Sequence, residues 1–235
     1  MAAKPRFPVS TQPPPKRKRP PSPPKGKVKR KRRRSPSISP LQRLLWGLIG
    51  LGLMVGGTLI KAHTLWPQGW QDWTVRSLQV NWQVGAVLLI GCLGGAQASL
   101  LSQISYVLLG LSGLAIFTDG GGLYYLQEPA FGYILGFIPG GWLCGRLAFR
   151  WRPVQLESLA LSALAGLGVI HLCGIVYQIG LQMMQLFSQQ VQLLEMGATL
   201  LQGIFRYSVI LLPPQGALIC AVSVLAFLLR RIMFY

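Results

Sequence analysis

Residues that could carry out acid–base or nucleophilic chemistry are few in this chain and lie far apart. Of its 235 residues only five are Asp or Glu, and there are two histidines, His63 and His171. The four cysteines each lie inside an apolar stretch, without the spacing of metal ligands. We therefore predict that the chain is not an enzyme, that it holds no metal or cofactor, and that its cysteines are packing residues.

Polar side chains inside apolar segments are the next group that could take part in binding or chemistry. His171 stands in the middle of a long apolar stretch with no carboxylate near it in sequence. We expect it to form a hydrogen bond between helices, although an ionisable residue inside a membrane can also be functional. Five amides lie within or beside apolar stretches: Asn81, Gln83, Gln97, Gln103 and Gln215. Because an unpaired amide in hydrocarbon costs several kcal/mol, they must pair with each other, with backbone or with a polar ligand.

A glycine-rich loop is the third candidate. Gly120, Gly121 and Gly122 follow Asp119 and precede two tyrosines. Three successive glycines permit positive φ and expose backbone N–H groups, which suits close approach to a small ligand or its carboxylate. A flexible turn without a ligand is the alternative.

The segments that carry these residues are long, apolar and numerous. Crossing the hydrocarbon of a bilayer takes about 20 mostly apolar residues in a helix, and 51% of this chain is hydrophobic. The predicted fold class is all-α, a polytopic membrane protein with six transmembrane helices. The six predicted spans are 44–60, 80–97, 100–117, 133–148, 154–184 and 209–229. The second and third are expected to meet at Gly94, Gly95 and Ala96 with almost no loop.

Positive charges predict the orientation, because Lys and Arg of short loops and tails stay in the cytoplasm. Fourteen of the 23 Lys and Arg residues lie between Lys4 and Arg34, which contain no carboxylate. Arg150 and Arg152 follow the fourth span, and Arg230 and Arg231 follow the sixth. All three clusters fall on one side if both termini are cytoplasmic. The outer loops are then residues 61–79, 118–132 and 185–208.

The basic segment predicts a boundary between two parts of the chain. Residues 1–41 are rich in Lys, Arg and Pro, and we expect a disordered cytoplasmic tail. Residues 42–235 form the membrane domain. The tail could be a nucleic-acid patch, but on a multi-span protein it is expected to contact anionic membrane lipids and to set topology. Nucleic acid is therefore an unlikely partner.

Pairs of small residues four positions apart predict close helix contacts. We expect Gly91 with Gly95, and Gly136 with Gly140, to pack within the chain. The pair in the first span, Gly52 and Gly56, is expected to face another subunit.

Spaced glycines and aromatics between residues 78 and 150 resemble the BioY family. The matching positions are Gly94-Gly95-Ala96, Ser102-Gln103, Tyr106, Gly110, Gly113-Leu114, Phe117, Gly120-Gly121-Gly122, Pro129, Gly132-Tyr133 and Gly136-Phe137. BioY proteins are the biotin-specific substrate-capture subunits of energy-coupling-factor transporters.

The resemblance implies capture of biotin near the outer face of a small six-helix protein at the cell membrane. It also implies a membrane-embedded coupling subunit and two ATPase subunits as partners, since this chain has no G-x-x-x-x-G-K-[ST] motif. Gly52 and Gly56 are similar to the family's docking face. The predicted substrate-binding residues are Asn81, Gln103, Tyr106, Gly120, Gly121, Gly122, Tyr133 and Gln215.

Four positions depart from the family pattern. Near the last span the family has an acid and, three residues later, a lysine that contribute to ligand binding; Gln215 and Leu218 stand there in this chain. Ala115 and Gln79 replace two prolines. The alternative function is therefore a membrane scaffold or assembly factor that has kept the fold and lost the ligand.

Overall fold

The computed structural model describes residues 39–59, 61–67, 73–117, 120–150, 153–187 and 193–233. The predicted tail, residues 1–41, lies outside these residues except for its last three. Within these ranges six α-helices and two strands follow one another in the order α1 Pro40–Leu59, β1 Lys61–Pro67, β2 Trp73–Asn81, α2 Trp82–Leu111, α3 Phe131–Ala148, α4 Leu156–Phe187, α5 Leu193–Ile204 and α6 Leu212–Ile232. A short 3₁₀ turn, Leu123–Gln127, precedes α3, and a π-helical turn, Phe205–Val209, precedes α6.

The helices have the length and composition of membrane spans. In the described part of the chain four stretches are long and apolar enough to cross a bilayer: Pro40–Thr58, Trp82–Leu111, Leu156–Phe187 and Gly197–Ile232. Their outward faces carry large exposed side chains such as Leu48, Leu108 and Leu172, which suit lipid rather than water. The predicted class, a helical membrane protein, agrees with this architecture.

Helix α2 reverses direction at Gly95. The amide Nε2 of Gln83 lies 2.6 Å from the Tyr106 hydroxyl oxygen, although 23 positions of a straight helix would separate them by about 35 Å. Gly95 has φ 77° and ψ −178°, a conformation that glycine alone adopts without strain. The helix therefore consists of a first arm, residues 82–94, and an antiparallel second arm, residues 96–111. This is the predicted boundary between the second and third spans, with no loop between them.

A β-hairpin occupies the predicted outer loop 61–79. Strand β1 pairs antiparallel with β2, so that Lys61 lies opposite Asn81 and Trp66 opposite Thr74. Val75 and Thr74 are β-branched residues, and such residues favour extended backbone. Apolar periodicity did not indicate these strands, because the segment mixes tryptophans with charged and polar residues.

Glycines bring the central helices into close contact. A Cβ at Gly136 would lie 2.9 Å from the Ile170 carbonyl oxygen, and one at Gly140 would lie 2.8 Å from that of Gly166. A Cβ at Gly91 would lie 3.0 Å from the Gly141 carbonyl oxygen. These contacts join α3 to α4 and to the first arm, and they confirm the predicted internal packing of those small residues.

The bundle has two chemically different ends. At the basic end, which carries Arg43, Arg150, Arg230 and Arg231, the buried Arg230 donates through Nη1 to the Ala148 carbonyl at 2.9 Å. Its guanidinium carbon also lies 4.0 Å from the ring centre of Phe149, and this ring meets Gly95. The start of α1, the reversal of α2 and the ends of α3 and α6 therefore gather together.

The opposite end, called the polar end below, carries Thr58, Gln83, Tyr106, Ser208 and Gln215. The end of α1 reaches it through a hydrogen bond from Gln83 to Thr58. The start of α6 reaches it through Leu218, whose side chain lies 3.0 Å from where a Cβ at Gly85 would stand. Most predicted site residues lie at this end.

Candidate functional site

Two groups of hydrogen-bonded side chains occupy the polar end. The Tyr106 group consists of Thr58, Gln83 and Tyr106. The His171 network consists of Tyr133, His171, Gln178, Ser208 and Gln215. Each group links helices that are distant in sequence, and each contains residues predicted to bind the ligand.

The Tyr106 group braces α1 against both arms of α2. Gln83 donates through Nε2 to Thr58 Oγ1 and to Tyr106 Oη, both at 2.6 Å. The Tyr106 hydroxyl donates in turn to the Ile116 carbonyl at 2.9 Å, and the Thr58 hydroxyl donates to the Met54 carbonyl at 2.9 Å. Tyr106 is fully buried, and its hydroxyl accepts a hydrogen bond from Gln83 and donates one to the Ile116 carbonyl. The structure therefore places Tyr106, a predicted site residue, in a contact that holds helices together.

The His171 network joins α3, α4, the π-helical turn and α6. His171 Nδ1 lies 3.0 Å from Ser208 Oγ, and His171 Nε2 lies 2.7 Å from Gln215 Oε1. Ser208 Oγ lies 2.8 Å from Tyr133 Oη, and Gln178 donates to that phenol oxygen at 3.5 Å. The predicted helix–helix hydrogen bond of His171 is confirmed. Tyr133 and Gln215, both predicted for the site, meet through His171 and Ser208.

Local backbone geometry explains how the network forms. Ile210 N–H bonds to the Phe205 carbonyl at 3.0 Å, a five-residue step that widens the helix into a π turn. This turn carries Ser208 inward. Pro213 and Pro214 stand in the first turn of α6, where the missing N–H groups need no partner, and Gln215 follows them.

Aromatic rings form a wall beside the network. The Tyr133 ring packs edge-on against His171, with centres 5.7 Å apart, and lies 6.1 Å from the Tyr207 ring. The guanidinium carbon of the exposed Arg206 stands 5.8 Å from the Tyr207 ring centre. The site therefore combines flat apolar surface, polar hydrogen-bonding groups and the exposed guanidinium of Arg206 at its rim.

The triglycine loop is internally bonded. Gly120 and Gly122 have the predicted positive φ, 122° and 101°. The N–H of Gly120 donates to the Phe117 carbonyl and that of Gly122 to the Gly110 carbonyl, at 3.2 and 2.8 Å. Gly121 is needed for another reason, since a Cβ there would collide with the Leu114 carbonyl. Two of the three amides expected to face a ligand thus hold the loop on the end of the second arm.

The remaining predicted residues are dispersed. Gln103 is fully buried, with Nε2 3.4 Å from Ser102 Oγ, and its Oε1 has no hydrogen-bond partner within the described part of the chain. Asn81 ends strand β2, directly before the first arm. Gly52 and Gly56 lie on α1, and a Cβ at either position would meet no described atom within 4 Å.

Comparison with known proteins identifies the family. The BioY family profile matches residues 73–233, which include both arms of α2, the triglycine loop, the His171 network and α6. The chain belongs to the BioY family. With its apolar helices, it is therefore a multi-pass protein of the cell membrane.

Curated BioY relatives match shorter segments. The chain is 34% identical over 95 residues to a probable biotin transporter BioY of Lysinibacillus sphaericus, covering 40% of this chain and 48% of the relative. It is 38% identical over 97 residues to the biotin transporter BioY of Thermotoga maritima, covering 40% and 54%. The matches thus span about half the length of these two transporters, and both are named as transporters rather than enzymes.

A longer match and a solved structure extend the likeness. An uncharacterised 21.2 kDa protein encoded between psbX and ycf33 in Cyanophora paradoxa is 29% identical over 160 residues, covering 68% of this chain and 78% of the relative. The crystal structure of the S-component for biotin from an ECF-type ABC transporter superposes with a TM-score of 0.54 at 16% identity. That likeness covers 83% of this chain and 95% of that chain, and it establishes a shared fold.

Three residues of the Tyr106 group and the His171 network were absent from the sequence prediction. Ser208 and Gln178 lie at the polar end, among residues that show no motif. Thr58 lies near the end of α1, two residues after Gly56. Each of the three lies on a helix face directed at His171, Tyr133 or Gln83. That placement depends on how the helices are rotated, which apolar periodicity alone does not predict.

Proposed function

We propose that this BioY protein captures biotin at the polar end and serves as the substrate-capture subunit of an energy-coupling-factor transporter. The observation that carries the proposal is the His171 network, which ends in Gln215 at the position where the family has its ligand-binding acid. Biotin offers a ureido group for an amide and an apolar thiophane ring for the Tyr133 and Tyr207 rings. Its carboxylate suits the exposed guanidinium of Arg206.

The proposed topology has six crossings: α1, the two arms of α2, α3, α4 and α6. Each crossing runs between the basic end and the polar end, so the ends of the membrane domain meet at the basic end. Positively charged segments stay in the cytoplasm, which makes both termini cytoplasmic and the polar end external. The hairpin, the triglycine loop and α5 then lie on the side from which biotin arrives.

The proposed partners are a membrane-embedded coupling subunit and two ATPase subunits. The exposed face around Gly52 and Gly56 suits the coupling subunit, because a helix backbone can approach closely where side chains are absent. The basic tail, residues 1–41, is proposed to contact anionic lipids. The chain itself has no catalytic role in this proposal.

Binding of labelled biotin to the purified full-length chain in detergent tests the proposal. We expect saturable binding that unlabelled biotin competes away and that Gln215→Leu lowers by tenfold or more, since about 1.4 kcal/mol of lost hydrogen bonding corresponds to tenfold. Gly216→Ala is the matched control: it lies next in sequence and is exposed, and its Cβ meets no described atom within 4 Å. A folded wild-type chain that does not bind biotin would support the scaffold alternative.

A further inference from the structure

The amide of Gln215 has one acceptor oxygen and two donor hydrogens, and within the described residues only the oxygen is hydrogen-bonded. Gln215 is buried, and its Oε1 lies 2.7 Å from His171 Nε2. The only hydrogen bond of its side chain to a described residue is this one, so its Nε2 donates to none of them. A carboxylate at this position, as the BioY pattern has, would offer acceptors alone. The replacement therefore changes what the position can present to a ligand.

The direction of the His171 network decides which part of the amide is presented. An amide oxygen only accepts, so His171 Nε2 carries the hydrogen that it donates to Gln215. In the tautomer that carries its one hydrogen on Nε2, His171 Nδ1 accepts the Ser208 hydroxyl hydrogen, and Ser208 in turn accepts from Tyr133. At the far end Gln178 Nε2, which only donates, faces the Tyr133 oxygen. The amides at both ends of the network are compatible with this direction.

Reversing the Gln215 amide would break this order. Its Nε2 would then face His171 Nε2, which would have to lose its hydrogen to accept. His171 Nδ1 would donate to Ser208, and the Ser208 hydroxyl to Tyr133. The Tyr133 hydroxyl hydrogen would then have an acceptor in the network only if Gln178, which donates to the same oxygen, reversed its amide as well. A buried network of this kind favours the arrangement in which every member is satisfied.

We infer that Gln215 selects a ligand by a hydrogen-bond acceptor, a neutral carbonyl such as that of a cyclic urea, and that His171 acts as the positioning residue. This inference rests on the proposed function. Leu218, three residues later, packs against Gly85 and adds no charge. The five network residues include no carboxylate, so a ligand N–H finds no anionic acceptor among them, whereas a carbonyl acceptor can meet the Gln215 Nε2 hydrogens.

Two probes that differ only in this group test the inference on the purified full-length chain. Biotin presents a urea carbonyl, whereas 2-iminobiotin presents a guanidinium, which at neutral pH has donors alone. The readout is the ratio of the two dissociation constants in competition against labelled biotin. The ratio is used because a general loss of stability weakens the binding of both probes equally. A change from donor to acceptor at Gln215 alters the two dissociation constants differently.

The wild-type chain is expected to prefer biotin, and Gln215→Glu to lower that preference by about tenfold or more, because the donor is replaced by an acceptor. His171→Phe frees the amide to rotate and should lower the preference as well. His171→Gln, which can donate to Gln215 Oε1 through its own amide, should restore it. Ser223→Ala is the control: its buried hydroxyl bonds to the Ile219 carbonyl in α6, outside the network.

The outcomes separate the inference from the proposed function. A wild-type chain that is folded and binds neither probe overturns both. A chain that binds biotin but keeps its preference in Gln215→Glu overturns the inference alone and leaves biotin capture standing. If His171→Phe does not fold, the Glu and Gln variants still decide the question through the same ratio.

Discussion

The sulfur atoms of Cys92 and Cys144 lie 3.6 Å apart, fully buried between the first arm of α2 and α3. Both were predicted as packing residues, and for these two the burial agrees. The contact arises because Gly91 and Gly141 allow the two backbones to approach closely on either side of it. The distance between these two thiols therefore depends directly on how the first arm packs against α3.

Oxidative crosslinking of this pair tests the packing of α2 on α3. Two thiols at this separation need only a small rotation to form a disulfide, so a small, membrane-permeant oxidant such as diamide should link Cys92 to Cys144. Two thiols lose their hydrogens and the oxidant gains them. Mass spectrometry of the digested protein should find the linked peptides, and neither Cys173 nor Cys220 should enter them. A Cys92–Cys144 link that never forms, while Cys173 or Cys220 crosslinks readily, would contradict the packing.

Tyr106→Phe tests the brace between α1 and the two arms. Removing the hydroxyl leaves a buried Gln83 N–H and the Ile116 carbonyl without this partner, which should lower the free energy of unfolding by about 1–3 kcal/mol. Thermal unfolding of the detergent-purified chain measures the effect. The control, Ser112→Ala, removes an exposed hydroxyl at the end of the same arm and should change stability by less than about 0.5 kcal/mol. Equal melting temperatures of the two variants would show that the Tyr106 hydroxyl does not stabilise the contact between α1 and the two arms.

Gly95→Ala tests the reversal of α2. At φ 77° and ψ −178° a side chain is strained, and we expect a loss of about 1–3 kcal/mol together with poorer folded yield. Gly168→Ala is the matched control, because it is helical and exposed and a Cβ there meets no described atom within 4 Å. Size-exclusion chromatography and thermal unfolding of both variants provide the comparison. Unchanged behaviour of Gly95→Ala would mean that the two arms do not turn at this residue.

The sequence alone was sufficient for the class of the fold, a helical membrane protein, and for the place where α2 reverses. Runs of apolar residues predicted the long helices, and Gly94-Gly95-Ala96 indicated the point where two segments meet without a loop. Helix α5 was not predicted, because it lies inside the segment expected to be the outer loop 185–208. The hairpin was missed because its residues have no clear period-two alternation, and its strands pair only with each other.

The candidate site was predicted in part, for a physical reason. Gln215 and Tyr133 could be chosen from residue type and resemblance, but their link through His171 depends on the rotation of α4 about its axis. The π-helical turn that carries Ser208 inward has no sequence signature. Gly121 was chosen for positive φ, whereas its actual constraint is the Leu114 carbonyl, a contact made by backbone folding that residue types do not reveal.

The double variant Gly52→Leu with Gly56→Leu tests the proposed docking face. Neither glycine packs against the described residues, so leucines there should leave folding and biotin binding intact while filling the surface that a coupling subunit would approach. We expect co-purification with coupling and ATPase subunits, and biotin uptake by cells, to be lost. Gly168→Leu adds the same bulk to the exposed face of α4 and should preserve both. If the double variant still assembles and transports, the docking face lies elsewhere; if it loses biotin binding as an isolated chain, the pair serves internal packing instead.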